Sequence, residues 1–265
     1  MSLRFALNHM TTPQLSLADF FALARRLGMR EVEIRNDLDG NAILDGTPAA
    51  AVKAAAAAAG VTIYTINAQQ RFNDWGPVRA AEATALADYA QACGCRALVL
   101  VPVCDGTAAD QDRLVEALAA LKPILAARGL IGLVEPLGFE FCSLRNKSDA
   151  VAAIDAVEGR GVFKLVHDTF HHHLAGEAAT FPELTGLVHI SGVTDAAVTV
   201  PDMRDSHRVL VDASDRLDNL GQIKALLAAG YDGPCSFEPF ASEVHALTDP
   251  EAALRASMDY IVSGV

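Results

Sequence analysis

Short apolar runs alternate with longer stretches rich in alanine and leucine along the whole chain. The runs are nearly continuous instead of alternating with polar residues, which is typical of parallel strands buried on both faces. Eight strands are predicted on this basis: Leu3–His9, Glu31–Arg35, Thr62–Asn67, Ala97–Pro102, Ile131–Pro136, Phe163–Asp168, Leu187–Gly192 and Cys235–Phe240.

The stretches between the runs have helical periodicity and recognisable ends. Ser16 is a typical N-cap and Gly28 a typical residue just past a helix, and Ser148 resembles a second N-cap. The predicted helices are Ser16–Leu27, Pro48–Ala59, Pro77–Ala92, Ala108–Arg128, Ser148–Val157, Leu220–Ala229 and Pro250–Val262. Only a short helical crossover is expected at Phe181–Leu184, and a long polar segment, Val193–Asn219, follows the seventh strand.

Eight strand and helix units in about 250 residues are typical of an α/β fold of the (β/α)8 TIM-barrel type. An open, doubly wound sheet is the alternative. That alternative is weakened because no GxGxxG segment follows the first strand. Since no internal linker is evident, residues 1–265 are predicted to form a single TIM-barrel domain.

Composition and charge narrow the class of protein further. The chain has 265 residues, of which 51% are hydrophobic, so it can bury a core and is not disordered. Its formal net charge is −12, which argues against nucleic acid as a partner. No apolar stretch approaches the roughly 20 residues that a membrane span needs, so no membrane association is expected.

The beginning of the chain and its cysteines predict a cytoplasmic location. Asn8 and His9 interrupt the apolar core that a secretory signal would need. The chain has five cysteines, and the Cys93-Gly94-Cys95 spacing is too close for a CxxC motif. We therefore expect reduced, mostly buried thiols.

Polar residues stand at the ends of most predicted strands, where TIM barrels carry their chemistry. The last four strands place Glu135, Asp168, His189 and Glu238 at or near these ends. Three carboxylates gathered at one rim would repel each other unless a cation joined them. Oxygen ligands with one imidazole suit Mn²⁺, Mg²⁺, Co²⁺ or Zn²⁺. The alternative is that the four residues act separately, as caps or in salt bridges.

The remaining polar residues near these ends separate into site candidates and structural ones. Of the three consecutive histidines, His171 is expected to point into the site, with His172 and His173 in a loop. His167 alternates with Asp168 along its strand, so its side chain is predicted to pack against helices on the outer face. Glu33 and Arg35 share one face of the second strand and could pair with each other.

Four motifs resemble the xylose isomerase-like TIM barrels, a sugar isomerase and epimerase group that includes AP-endonuclease family 2. They are VEPLG at 134–138, HDTFHH at 167–172, LVHISG at 187–192 and FEPF at 237–240. The resemblance implies that Glu135, Asp168, His189 and Glu238 hold one divalent metal. It also implies that His171 contacts substrate or solvent bound to that metal.

Within this group, three stretches are similar to the inosose isomerase-type proteins of inositol catabolism, which interconvert keto-inositols. They are EIRNDL at 33–38, INAQQRFNDW at 66–75 and DSHRVLVD at 205–212. Family members often carry Pro-Gly-x-Gly after the arginine that corresponds to Arg208. Here Val-Leu-Val-Asp follows Arg208, so this side of the pocket departs from the pattern.

The predicted reaction moves a proton between adjacent carbons of a hydroxyketone such as 2-keto-myo-inositol. A metal would stabilise the enediolate as a Lewis acid, while Glu135 and Glu238 act as acid and base. The substrate-binding candidates are His171, Arg208, Gln70, Arg71, Asn73 and Trp75. Because no glycine-rich phosphate loop is evident, the expected substrate is a small uncharged polyol ketone or a free ketose.

The sequence alone does not distinguish between several functions. The same metal chemistry serves a ketose 3-epimerase, a hydroxypyruvate isomerase or an inosose dehydratase. DNA repair at abasic sites is disfavoured by the net charge and by the number of ligands, and a non-catalytic sugar-binding barrel is a further alternative. A homo-oligomer is compatible with the alanine-rich helix Pro48–Ala59, which could pack closely on a partner or on the barrel.

Overall fold

The computed structural model describes residues 3–38, 43 and 46–265. In this part of the chain eight parallel strands pair in sequence order, and the last pairs with the first to close a barrel. The predicted (β/α)8 TIM barrel is therefore confirmed. The strands are β1 Arg4–Asn8, β2 Glu31–Arg35, β3 Thr62–Gln70, β4 Ala97–Val101, β5 Ile131–Val134, β6 Phe163–Asp168, β7 Thr185–Ile190 and β8 Pro234–Phe237.

The helices follow the strands and cover the outside of the barrel. Ser16 caps the first one by accepting a hydrogen bond from the Asp19 amide, and Gly28 follows its end with a φ of +79°, both as predicted. The helices are α1 Leu17–Arg26, α2 Ala49–Ala59, α3 Pro77–Cys93, α4 Gln111–Ala126, α5 Lys147–Ala156, α6 Thr169–Ala175, α7 Asn219–Ala228, α8 Ser242–His245 and α9 Pro250–Gly264. None of those in the described residues is both long and apolar enough to cross a membrane.

The connection after β6 differs from the prediction. Helix α6 begins directly after the strand, while the segment predicted as a helical crossover, Phe181–Leu184, forms a turn. The cause is Asp168, whose Oδ1 accepts hydrogen bonds from the amides of Phe170 and His171 and so caps the new helix. His172 and His173, predicted in a loop, therefore lie in α6.

Helix α5 is capped from outside its own sequence. It begins at Lys147 after the N-cap Asn146, so the predicted cap at Ser148 is wrong. The carboxylate of Glu177 accepts hydrogen bonds from the amides of Lys147 and Ser148, at 2.8 and 2.9 Å. A carboxylate at this end of a helix satisfies amides that lack partners within it and complements the helix dipole.

The side chain of Lys147 is buried between α5 and α6. Its Nζ lies 2.6 Å from His172 Nδ1 and 3.9 Å from Glu177 Oε2. Burial lowers the pKa of Lys147 from 10.5 to about 8, although Glu177 acts in the opposite direction. Below pH 8 the folded protein keeps Lys147 charged, and the burial of that charge destabilises the fold. This destabilisation is lost as the pH rises from about 8 to the pKa of 10.5 that the lysine has in the unfolded chain.

This lysine gives the protein a measurable pH dependence. Between pH 8 and 10.5 the unfolded chain binds more protons at Lys147 than the folded one, so the free energy of unfolding should rise by about 3 kcal/mol through this group. Urea unfolding at several pH values, compared with Lys147→Met, isolates the effect. Identical pH profiles for the two proteins would show that Lys147 titrates normally.

The cysteines depart in part from the expected reduced thiols. Cys104, after β4, and Cys142, after β5, are joined as a disulfide, which ties together two loops at the carboxyl end of the barrel. Cys93, Cys95 and Cys235 are buried free thiols. Sequence spacing did not indicate the pair because its members are separated by 38 positions.

The loop after β5 approaches α6 so closely that only glycine fits at position 138. A Cβ there would lie 2.1 Å from the carbonyl oxygen of His171 and 2.8 Å from the amide nitrogen of Ala175. Gly138→Ala should therefore lower the free energy of unfolding by about 3 kcal/mol, since backbone would have to shift. Gly161→Ala is the control, because a Cβ at that position meets nothing within 4 Å. Equal denaturation midpoints for the two variants would refute this packing argument.

Candidate functional site

The ends of the last four strands bring Glu135, Asp168, His189 and Glu238 together. One ligand atom from each lies within 4.8 Å of those of the other three, and all four residues are buried. The parallel register explains the meeting, because Asp168 pairs with His189 and the Glu238 amide donates to the Ile190 carbonyl. Residues at matched positions on adjacent strands are held at the same height of the barrel.

His189 is at the centre of this cluster. Its Nδ1 lies 2.9 Å from Glu135 Oε1, 3.1 Å from Glu238 Oε2 and 3.9 Å from Asp168 Oδ2. Burial alone would lower the pKa of His189, but the surrounding carboxylates of Glu238, Glu33 and Glu135 raise it well above its ordinary value. Positive charge also reaches the carboxylates from two buried arginines, since Arg35 pairs with Glu238, and Arg208 pairs with Asp168 and Glu238.

Glu135 and Glu238 have different surroundings. Glu238 Oε1 accepts hydrogen bonds from Asn8 and Arg35, at 3.1 and 2.8 Å, and Oε2 accepts one from Arg208 at 3.1 Å. Burial would raise the pKa of Glu238, but His189, Arg208 and Arg35 hold it well below its ordinary value. Burial raises the pKa of Glu135, with His189 opposing the shift. The two carboxylates are thus held in electrostatically unequal environments.

The predicted pairing of Glu33 with Arg35 is wrong. Arg35 reaches across the barrel to Glu238 and forms a two-pronged pair with Asp37, at 2.7 Å for both bonds. Glu33 instead contacts His189. The two side chains do leave β2 on the same side, but Glu33 meets His189 of β7, while Arg35 meets Asp37 and Glu238.

A cavity of about 210 Å³ opens above this cluster. Among the predicted site residues, Glu135, Glu238, His171, Arg208 and Gln70 line it. The rest of the lining is Arg35, Asp37, Asn67, Val101, Leu137, Phe139, Asp205 and Phe240. The structure therefore gathers the proposed acid–base pair and three of the proposed substrate-binding residues at one opening.

Three predicted substrate-binding residues lie away from this lining. Arg71 turns outward with a φ of 54° and forms ion pairs with Asp105 and Asp74. Asn73 is buried, where it donates to Ser143 Oγ and accepts from the Val103 amide, and Trp75 packs against the main hydrophobic cluster. The loop after β3 thus uses these side chains to hold neighbouring loops in place.

His171 and Arg208 are the buried polar side chains best placed to meet a ligand. His171 is 4% exposed, its ring contacts the rings of Phe139 and Phe170, and its Nδ1 has no hydrogen-bond partner among the described residues. Arg208 is 1% exposed and donates to Asp168 Oδ2 at 2.7 Å as well as to Glu238. His167, as predicted, faces outward and bonds to Gln222 of α7 at 2.8 Å.

Several lining residues were not predicted from sequence. Arg35 ends β2, and Asn67 ends the predicted third strand, although β3 continues to Gln70. Both could have been found by the strand-end rule that found the cluster. Asp205 begins a short 3₁₀ helix after β7, and Phe240 follows β8. Both belong to motifs named above, DSHRVLVD and FEPF, but those motifs did not identify them as lining residues. The long segment after β7 folds back because Gly192 and Val209 form an antiparallel bridge, which brings Asp205 and Arg208 over the barrel.

The donor set of the cluster fits one divalent cation. Three carboxylates and one imidazole nitrogen, buried and within 4.8 Å of one another, form a group that would otherwise concentrate negative charge. Such oxygen and nitrogen ligands suit Zn²⁺ and Mn²⁺, and the oxygen ligands also suit Mg²⁺. Glu135, Asp168, His189 and Glu238 are the residues that would hold it.

Comparison with known proteins agrees with this architecture. Residues 21–263 match the family described as xylose isomerase-like TIM barrel, and the chain belongs to that family. A xylose isomerase domain containing protein from Salmonella typhimurium LT2 is 34% identical, with a TM-score of 0.91 and coverage of 99% of this chain and 98% of that one.

Two further solved structures share the fold at lower identity. The IolI protein, solved with a bound zinc atom, is 20% identical with a TM-score of 0.85, and 98% of each chain is covered. D-psicose 3-epimerase from Clostridium cellulolyticum H10, solved with D-tagatose, is 17% identical with a TM-score of 0.73, and 99% of each chain is covered. No curated protein sequence matches the chain at a significant level.

Proposed function

We propose that the protein is a divalent-metal-dependent isomerase or epimerase of a small, uncharged hydroxyketone. The observation that carries this proposal is the placement of Glu135 and Glu238. Each has an oxygen in the candidate metal cluster, and each also lines the cavity above it. A carboxylate at that position can reach both a cation and a substrate carbon next to it.

When bound by the four residues, a divalent cation would act as a Lewis acid and make the C–H beside a substrate carbonyl more acidic. Glu135 and Glu238 come from β5 and β8, so they approach the cavity from different strands. One would remove the proton from carbon, and the same or the other carboxylate would return it to the adjacent carbon or to the opposite face.

Other lining residues would bind and orient the substrate. The buried guanidinium of Arg208 can hold an oxygen on which negative charge develops. His171 and Gln70 also line the cavity, where an imidazole and an amide can bond to substrate hydroxyl groups. The face of Phe240, which stacks below the guanidinium of Arg208 at 4.6 Å, closes one side of the cavity.

The charge of the cavity favours an uncharged substrate. Its lining contains four acidic residues, Asp37, Glu135, Asp205 and Glu238, against the two arginines at positions 35 and 208. Both arginines are already paired with these carboxylates, so little positive charge is left for a phosphate group. A free ketose or polyol ketone meets the cavity without that penalty.

The sequence motifs shared with inosose isomerase-type proteins make 2-keto-myo-inositol the first substrate to test. The likeness to IolI and its bound zinc atom supports the choice of fold and of Zn²⁺ as one candidate ion. Ketoses are the second class, since a ketose 3-epimerase has the same fold. We also propose a cytoplasmic role in carbohydrate metabolism, which such substrates would fit.

The test is a screen of keto-inositols and ketoses by NMR in D₂O, with Mn²⁺ added or chelated. We expect one of them to exchange its carbon-bound proton for deuterium only when the metal is present. Firm metal binding with no exchange in any compound would favour a non-catalytic sugar-binding barrel instead.

A further inference from the structure

Glu33 is a fully buried carboxylate that takes no part in the lining of the cavity. It lies on β2, and both of its carboxylate oxygens are 3.1 Å from Nε2 of His189. The other ring nitrogen, Nδ1, faces Glu135 and Glu238. The two edges of the His189 ring therefore meet different carboxylates, with Glu33 on the edge away from the candidate metal site.

The Glu33 carboxylate is itself held firmly in place by β3. Its Oε2 accepts a hydrogen bond from Thr65 Oγ1 at 2.6 Å and one from Asn67 Nδ2 at 3.1 Å. Thr65 is the register partner of Glu33 in the β2–β3 ladder. Since two donors of β3 hold this carboxylate, its position does not depend on a ligand in the cavity.

We propose that Glu33 is a positioning residue that selects the nitrogen of His189 available to a cation. An ionised carboxylate can accept hydrogen bonds but cannot donate them, so Nε2 must carry the proton in this contact. With Nε2 donating to Glu33, Nδ1 is the nitrogen whose lone pair would face a cation held by Glu135 and Glu238, because Nδ1 points at these two carboxylates. Glu33 thus fixes both the tautomer and the ring orientation. The inference rests on the proposed metal site and specifies how its only nitrogen ligand is prepared.

The alternative is that Glu33 is simply one half of a buried ion pair with His189. The two roles differ in what they predict. An ion pair alone would stabilise the fold without any preference for which nitrogen binds a cation. A positioning role requires the proton to stay on Nε2 after the metal is bound, and it requires metal affinity to fall when the acceptor is removed.

The first measurement is ¹H–¹⁵N correlation NMR of the histidine rings in the intact Zn²⁺-loaded protein. We expect His189 to be protonated at Nε2 and bound to zinc through Nδ1, with the assignment made by comparison with His189→Gln. Zinc bound through Nε2 would overturn the proposal. This measurement uses the wild-type chain, so it does not depend on how well any Glu33 variant folds.

The second measurement is Zn²⁺ affinity by competition with a chelator. We expect Glu33→Leu to weaken Zn²⁺ binding by about 10- to 100-fold. Glu33→Gln should weaken it less, because an amide oxygen still accepts a hydrogen bond from Nε2. Glu177→Gln is the matched control, since it alters a carboxylate that caps α5 and does not contact the cluster. Its Zn²⁺ affinity should equal that of the wild type.

Wild-type affinity in a folded Glu33→Leu protein would also overturn the positioning role. Failure of the proposed function would give a different result in the Zn²⁺-binding measurement. If the wild-type chain did not bind Zn²⁺ at all, the metal site itself would be absent. If it bound Zn²⁺ tightly with the wrong nitrogen, or without help from Glu33, the metal site would stand and only this inference would fall.

Discussion

Glu135→Gln and Glu238→Gln are each expected to slow the exchange of the substrate's carbon-bound proton with solvent by about 10²- to 10⁴-fold. Glutamine keeps a carbonyl oxygen at the same position but cannot accept a proton from carbon. Both residues line the cavity, and both belong to the buried cluster, so each substitution removes a proton carrier from the reacting face. Deuterium incorporation from D₂O, followed by NMR with the substrate found in the screen, measures the effect.

Two comparisons make this result interpretable. Glu177→Gln removes a carboxylate outside the site and should leave exchange at the wild-type rate. The metal content of each variant should be measured alongside, because loss of a ligand could slow exchange without any role in proton transfer. Undiminished exchange in both Glu135→Gln and Glu238→Gln would remove these residues from the acid–base assignment.

Arg208→Met should lower the free energy of unfolding of the metal-free protein by about 3–5 kcal/mol. Arg208 is 1% exposed, and its Nη2 donates to Asp168 at 2.7 Å and to Glu238 at 3.1 Å. Its removal leaves these buried carboxylates with less compensating charge. Added Zn²⁺ or Mn²⁺ should reduce the loss, since a cation between the same carboxylates would replace part of the missing charge.

The control for this prediction is an arginine on the protein surface. Arg255 pairs with Glu251 at 2.8 Å, but its side chain is 49% exposed, so Arg255→Met should cost less than about 1 kcal/mol. Urea unfolding with and without metal gives both values. An Arg208→Met protein as stable as Arg255→Met would contradict the view that Arg208 balances the buried carboxylates.

The features that sequence could predict are those that depend on short stretches of chain. Strands β2 (EVEIR) and β6 (FKLVHD) have the predicted bounds, because each is a short strand-forming segment that follows a turn containing a glycine, Gly28 or Gly161. The four residues of the cluster could be predicted for the same reason. Each lies within one residue of the end of a strand, and a closed parallel barrel brings equivalent strand ends to one rim.

The features that sequence did not reveal depend on contacts between distant segments. One partner of Arg35 is Glu238, which lies 203 residues further along the chain, and nothing near Arg35 in sequence indicates this contact. The cap of α5 comes from Glu177, and the turn at Arg71 directs its side chain to Asp105. These side-chain partners depend on how the loops lie relative to one another, and the hydrophobic periodicity of the sequence does not predict that placement.

The central claim is that Glu135, Asp168, His189 and Glu238 hold one divalent cation at the mouth of the barrel. Anomalous diffraction from a crystal of the wild-type chain grown with Mn²⁺ tests it most directly. We predict a single strong peak in each chain, with ligand atoms of all four residues about 2.0–2.4 Å away. No peak at the cluster, or a peak that only two of the four residues reach, would contradict the account.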